Sequence, residues 1–113
     1  TNTFPDGSTG LSRGGEMVFR GIGLGGFAEL VLVPASGAVK VARDVPLDLA
    51  CVIGCALQTG VGAVLNTARV EEGATVLVMG LGGVGLAIVQ GARLAGAARI
   101  IVSDPMADKR AMA

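Results

Sequence analysis

The chain contains no histidine, tryptophan or tyrosine, and only three phenylalanines and two cysteines among its 113 residues. Without histidine these residues offer no imidazole ligand to a metal, and a protein metal site needs three or four donors. With so few aromatics and 19 glycines, the backbone is built for tight turns and close packing rather than around bulky anchors. Nine basic and nine acidic residues cancel, and neither sign forms a run. Nothing here attracts a nucleic acid or an anionic membrane surface. Cys51 and Cys55 stand four residues apart in an apolar stretch, a poor basis for a disulfide framework. No secretory leader precedes them, so a reducing cytoplasm is the expected compartment.

What is present is aliphatic. Apolar residues make up 51% of the chain, enough to bury a core and to exclude disorder. The composition is that of an α/β protein. The chain starts at Thr1 without an initiator methionine and stops at Ala113 inside an apparent helix, and is therefore expected to be an interior fragment.

Residues 1–15 read as a connector rich in Gly, Ser, Thr, Asn and Pro. Residues 16–20, 27–33 and 39–42 are short apolar runs, expected as strands of an antiparallel β region. Pro46 introduces a short helix over 47–52, which Gly54 is expected to break before a second helix over 56–68. Residues 47–65 are about long enough to span a bilayer, but Asp48, Gln58, Thr59 and three glycines lie among them without flanking charge bias, so no membrane partner is expected. Residues 75–79 form a continuous β-favouring run, expected to be covered on both faces. A helix follows over 83–95, with Gly96 placed for a left-handed cap, and a second strand runs over 99–104. Strand, helix and strand in about 30 residues make a βαβ unit with a right-handed crossover.

Between the first strand and the helix lies Gly80-Leu81-Gly82-Gly83-Val84-Gly85, which fits G-x-G-x-x-G. The pattern alone is weak in so glycine-rich a chain, where small residues can serve packing only. The strand before it, the helix after it and the acid Asp104 at the end of the next strand strengthen it. Gly80 allows the sharp turn, Gly82 lets the backbone approach a pyrophosphate, and Gly85 lets the helix pack on the strand. The helix N-terminus supplies free N–H groups and partial positive charge. Leu81, Gly83 and Val84 share that cradle. Asp104 is placed to accept hydrogen bonds from the adenosine ribose hydroxyls, and its charge repels a 2′-phosphate, which favours NAD over NADP. The alternative makes it a strand-end residue or the cap of a helix opening at Pro105, and the strand-turn-helix-strand context favours the dinucleotide site. Lys109 is within reach of the ribose or adenine edge, or is a solvated surface lysine.

A lone cysteine in an apolar run is by itself most often a buried small residue, and so are Cys51 and Cys55 on this reading. However, Gly54-Cys55-Ala56-Leu57-Gln58-Thr59-Gly60, followed by Val70 through Gly85, resembles the zinc-containing alcohol dehydrogenases of the medium-chain dehydrogenase/reductase family. The pattern is most similar to their class III, or glutathione-dependent formaldehyde dehydrogenase, branch. Gly25 through Glu29 and Asp104 through Lys109 resemble the same family, so the match runs from about Gly21 onward. The resemblance implies the end of a GroES-like β catalytic domain over residues 1–55 and the start of a Rossmann doubly wound coenzyme domain over 56–113. It makes Cys55 a ligand of the catalytic zinc and places Thr59 against the nicotinamide ribose. Asp104 and Lys109 become coenzyme contacts, and Gly21 and Ile22 become wall positions of the substrate pocket.

The family's other zinc ligands, its proton relay and its four-cysteine structural lobe precede the matching region, and no catalytic residue beyond Cys55 is assigned here. The resemblance implies an oxidoreductase passing hydride between an alcohol or hydroxymethyl-thiol adduct and NAD. A small-molecule alcohol or aldehyde is the expected substrate, and a dimer or tetramer the expected assembly of the full-length protein. A zinc-free quinone-reductase-like relative and a non-enzymatic dinucleotide-binding fragment are the alternatives.

Overall fold

A computed structural model describes residues 3–21 and 25–113; Ile22 lies outside the described residues. The chain divides into two compact units, Thr1–Lys40 and Val41–Ala113.

In the first unit, β1 (Ser12–Arg13) and β2 (Glu16–Met17) form an antiparallel hairpin that pairs Ser12 with Met17 and Arg13 with Glu16. Its two loop residues, Gly14 and Gly15, have φ of 59° and 86°, the paired positive values that a two-residue turn needs to match strand twist. The expected strand over 16–20 is thus only two residues long. The runs over 27–33 and 39–42 are not strands at all. A strand is held by its neighbour's ladder, and among the described residues neither run has one. Phe27, Leu30 and Val39 consequently lie exposed.

In the second unit Pro46, at φ −59°, precedes α1 (Leu47–Ala50). The chain turns at Cys51 and Val52 and re-enters a helix as a wide π-type turn, Ile53–Leu57. It continues as α2 (Gln58–Gly62) and a second π-type stretch, Ala63–Ala68. The interruption therefore falls at Cys51 and Val52, not at Gly54, which lies inside the wide turn. One glycine costs a helix only about 1 kcal/mol, and packing of the following residues offsets that. By length and composition Leu47–Ala68, 22 residues, is apolar enough to cross a membrane.

The rest is a βαβ unit: β3 (Thr75–Met79), α3 (Gly83–Leu94) and β4 (Arg99–Ser103). The strands pair in parallel from Thr75 with Arg99 to Met79 with Ser103. Gly96, at φ 76°, closes α3 in the left-handed conformation expected of it. The core gathers Val78, Leu81 and Val89, with Val76, Leu86, Ile88, Ile100 and Val102 packed against them.

Burial along β3 corrects one expectation. Val76 and Val78 turn inward, but Leu77 is 58% and Met79 80% exposed. Successive strand residues alternate faces, and among the described residues only the Val78 face is covered. Finally, α4 (Ala107–Met112) opens two residues later than expected from Pro105. Asp104 Oδ1 accepts the Met106 N–H at 2.9 Å, a local turn that holds the backbone out of the helix.

The three motif glycines have separable roles, and substitution will show it. A Cβ on Gly85 would overlap the carbonyl oxygen of Gly80, whereas a Cβ on Gly82 meets nothing within 4 Å. Overpacking of this kind typically costs about 1–3 kcal/mol, more than the roughly 1 kcal/mol that alanine gains in a helix. Gly85→Ala should lower the denaturation midpoint of the intact protein clearly, and Gly82→Ala should change stability by less than about 1 kcal/mol. Equal midpoints for the two variants would contradict the assignment.

Candidate functional site

The sharp change of direction after β3 is made by Gly80, whose φ is 89° and whose N–H is held by the Ser103 carbonyl at 2.7 Å. Only glycine occupies that region without strain. The chain then passes through Leu81, which is 1% exposed, and starts α3 at an extended Gly82 with no side-chain cap. The first N–H groups of a helix have no partner within it. Here Gly82, Gly83 and Val84 are exposed, and a Cβ on Gly82 would meet nothing within 4 Å, which leaves room for a ligand at the backbone.

The end of β4 is tied to this turn. Asp104 Oδ2 accepts the Leu81 N–H at 2.7 Å, a link across 23 residues, while Oδ1 holds the Met106 N–H. The Arg110 guanidinium hydrogen-bonds the Asp104 carbonyl oxygen. The Leu81 N–H above all, then the Met106 N–H, lowers the pKa of the carboxyl, with Lys109 and Arg110 adding weaker attraction against a small desolvation. Each carboxylate oxygen has a further lone pair to offer.

The helical segment carrying Cys55 and Thr59 reaches the same turn. Ala56 would lie 3.5 Å from a Cβ on Gly83, and Gly60 is packed so closely on α3 that a Cβ there would come 2.6 Å from the Val84 carbonyl oxygen and 2.5 Å from the Ala87 Cβ. Gly91 makes the reciprocal approach: a Cβ there would come 3.1 Å from the Val61 Cα. Cys55 and Thr59 are exposed, and the Cys55 thiol is free. Cys51 is also exposed, against the buried place expected of it, and its S–H donates to the Asp48 carbonyl at 3.0 Å. Among the described residues no three His, Cys, Asp or Glu side chains gather to hold a metal.

The structure thus unites Gly80, Leu81, Gly82, Gly83, Val84, Gly85 and Asp104. It sets Lys109, half-buried on α4, near the carboxylate and brings the Cys55–Thr59 segment alongside. Sequence reasoning missed Gly60 and Arg110. A glycine in mid-helix was the signal for the first; Arg110 had none, since its partner is a backbone carbonyl.

No family model matches the chain. It is 46% identical over 110 residues to the S-(hydroxymethyl)glutathione dehydrogenase of Paracoccus denitrificans, covering 96% of this chain and 29% of that protein. It is 44% identical over 105 residues to the class-3 alcohol dehydrogenase of Myxine glutinosa, covering 93% and 28%. The crystal structure of an alcohol dehydrogenase zinc-binding domain protein from Burkholderia ambifaria superposes with a TM-score of 0.89 at 35% identity, over 98% of this chain and 30% of that one. Over nearly its whole length the chain is similar to alcohol dehydrogenases. It spans under a third of the length of the curated relatives it matches. The α/β fold, with a glycine turn between parallel strands, is the one the sequence pattern implied.

The lowered pKa of Asp104 carries a sign. Its folded value lies below the ordinary 3.8, so its contribution to stability is complete above that value and lost as pH falls through the folded one. The stability difference between the intact protein and its Asp104→Asn variant should be constant near neutrality and shrink below pH 3.8. A difference that grows on acidification would contradict this.

Proposed function

We propose that this chain is the junction of an alcohol-oxidising enzyme, with residues 1–55 belonging to its catalytic domain and 56–113 to its coenzyme domain. In this reading hydride leaves an alcohol, or a hydroxymethyl-thiol adduct, for NAD, the hydroxyl proton is released, and an aldehyde-level product forms. The observation that carries it is the turn in which Gly80, Gly82 and Gly85 each do a different job and Asp104 closes the far side.

The residues present fit a dinucleotide. The open backbone at Gly82 and the uncapped start of α3 suit a pyrophosphate, and the half-buried carboxylate of Asp104, with acceptor capacity to spare, suits a ribose diol. NAD, when bound, supplies the hydride acceptor. Gly82, Gly83 and Val84 would hold the phosphates through N–H groups, Lys109 would add positive charge at the adenosine end, and Thr59 would contact the nicotinamide ribose. The Asp104 charge opposes a 2′-phosphate, which selects NAD against NADP.

Zinc is a different case. The described residues supply one suitable donor, the Cys55 thiol, and one donor is not a site. We assign Cys55 as one ligand of a catalytic zinc whose other ligands lie outside these residues, and Cys51 as none. A cytoplasmic dimer or tetramer acting on small alcohols or aldehydes, without nucleic acid or membrane as partner, completes the reading. The Leu47–Ala68 helix is accordingly read as packed on α3 rather than as a membrane span.

Two measurements on the intact protein test this. kcat/KM should be higher with NAD than with NADP, and equal or better use of NADP would overturn the assignment of Asp104. Zinc per subunit should fall in Cys55→Ser, with loss of turnover, and stay unchanged in Cys51→Ser. Retained zinc in the first variant, or lost zinc in the second, would reverse the choice of cysteine.

A further inference from the structure

In the reading above the Asp104 carboxylate meets a ribose. Its Oδ2 also accepts the N–H of Leu81 at 2.7 Å, and Leu81 stands between the two glycines that shape the turn. Leu81 is at the same time the most deeply buried large side chain of the chain's described residues, 1% exposed. Its backbone N–H would otherwise have to find a partner in a confined place, and an unpaired buried donor is costly. No backbone carbonyl takes that N–H, so a side chain 23 residues away does. The Gly80 N–H is held in parallel by the Ser103 carbonyl, the residue before Asp104. Two adjacent N–H groups of the turn are therefore fastened to two adjacent residues at the end of β4.

We propose that Asp104 is a positioning residue for the glycine turn as well as a ribose contact, so that the pyrophosphate cradle is held in its binding shape by the carboxylate that recognises the far end of the coenzyme. The inference rests on the dinucleotide reading above and deepens it. If Asp104 acted only on the ribose, its removal would matter only for ligands with a ribose diol. A turn that it fastens is loosened for every ligand that uses the turn.

The distinction is measurable on the intact protein with NAD and with an analogue whose adenosine ribose lacks both the 2′- and 3′-hydroxyls. Asp104→Ala should weaken binding of the dideoxy analogue about three- to tenfold, the worth of one hydrogen bond. Asp104→Asn, whose amide oxygen can still accept the Leu81 N–H, should weaken it much less. In parallel, without coenzyme, the Leu81 amide should exchange its hydrogen slowly in the wild type and Asp104→Asn and at least about tenfold faster in Asp104→Ala. Unchanged analogue binding in Asp104→Ala overturns the positioning role, whether or not exchange accelerates. Unchanged Leu81 exchange overturns the tether itself. If the wild type binds neither NAD nor the analogue, the dinucleotide reading fails and the coenzyme half of this proposal with it, while the exchange rates still judge the tether.

Discussion

The approach of α3 to the carbonyl oxygen of Gly80 is the contact on which the site depends. Gly85 lies where a Cβ would overlap that oxygen, so the helix can begin close against the end of β3 only because position 85 has no side chain. In that arrangement Leu81 is buried with Val78 and Val89, while Gly82, Gly83 and Val84 at the start of α3 stay exposed. Once the turn is closed in this way, its two inner N–H groups lie within reach of Ser103 and Asp104 at the end of the paired strand.

A second close approach, through Gly60 and Gly91, sets the helical segment of Cys55 and Thr59 against α3. It lets backbone meet backbone with almost no intervening side chain. The site therefore inherits its geometry from two rigid contacts rather than from flexible loops, which is how a binding constellation is best held.

The βαβ unit was legible because local signals agree there. Thr75–Met79 and Arg99–Ser103 are β-favouring, Gly83–Leu94 has helical spacing, and glycines stand where positive φ or close approach is needed. Elsewhere the signals required partners. The runs over 27–33 and 39–42 have strand composition, but without a ladder to join they remain irregular and exposed. Residues 75–79 looked doubly covered because a continuous apolar run does not say which face is occupied; Leu77 and Met79 are exposed among the described residues. Gly54 looked like a helix breaker, yet a wide turn absorbed it and the chain turned at Cys51 and Val52, which no residue type announced. Arg110 was invisible in sequence because a guanidinium bound to a backbone carbonyl leaves no pattern of side-chain types.

The central claim is that the turn from Gly80 to Gly85, together with Asp104, is one coenzyme-binding surface. Backbone amide resonances of the intact protein, followed by NMR during titration with ADP-ribose, the part of NAD without its nicotinamide, test it most directly. Saturable shifts at Gly82, Gly83, Val84 and Asp104, with little change at Ser12–Met17, are the predicted result. Absence of shifts at the turn, or shifts confined to other residues, would contradict the account.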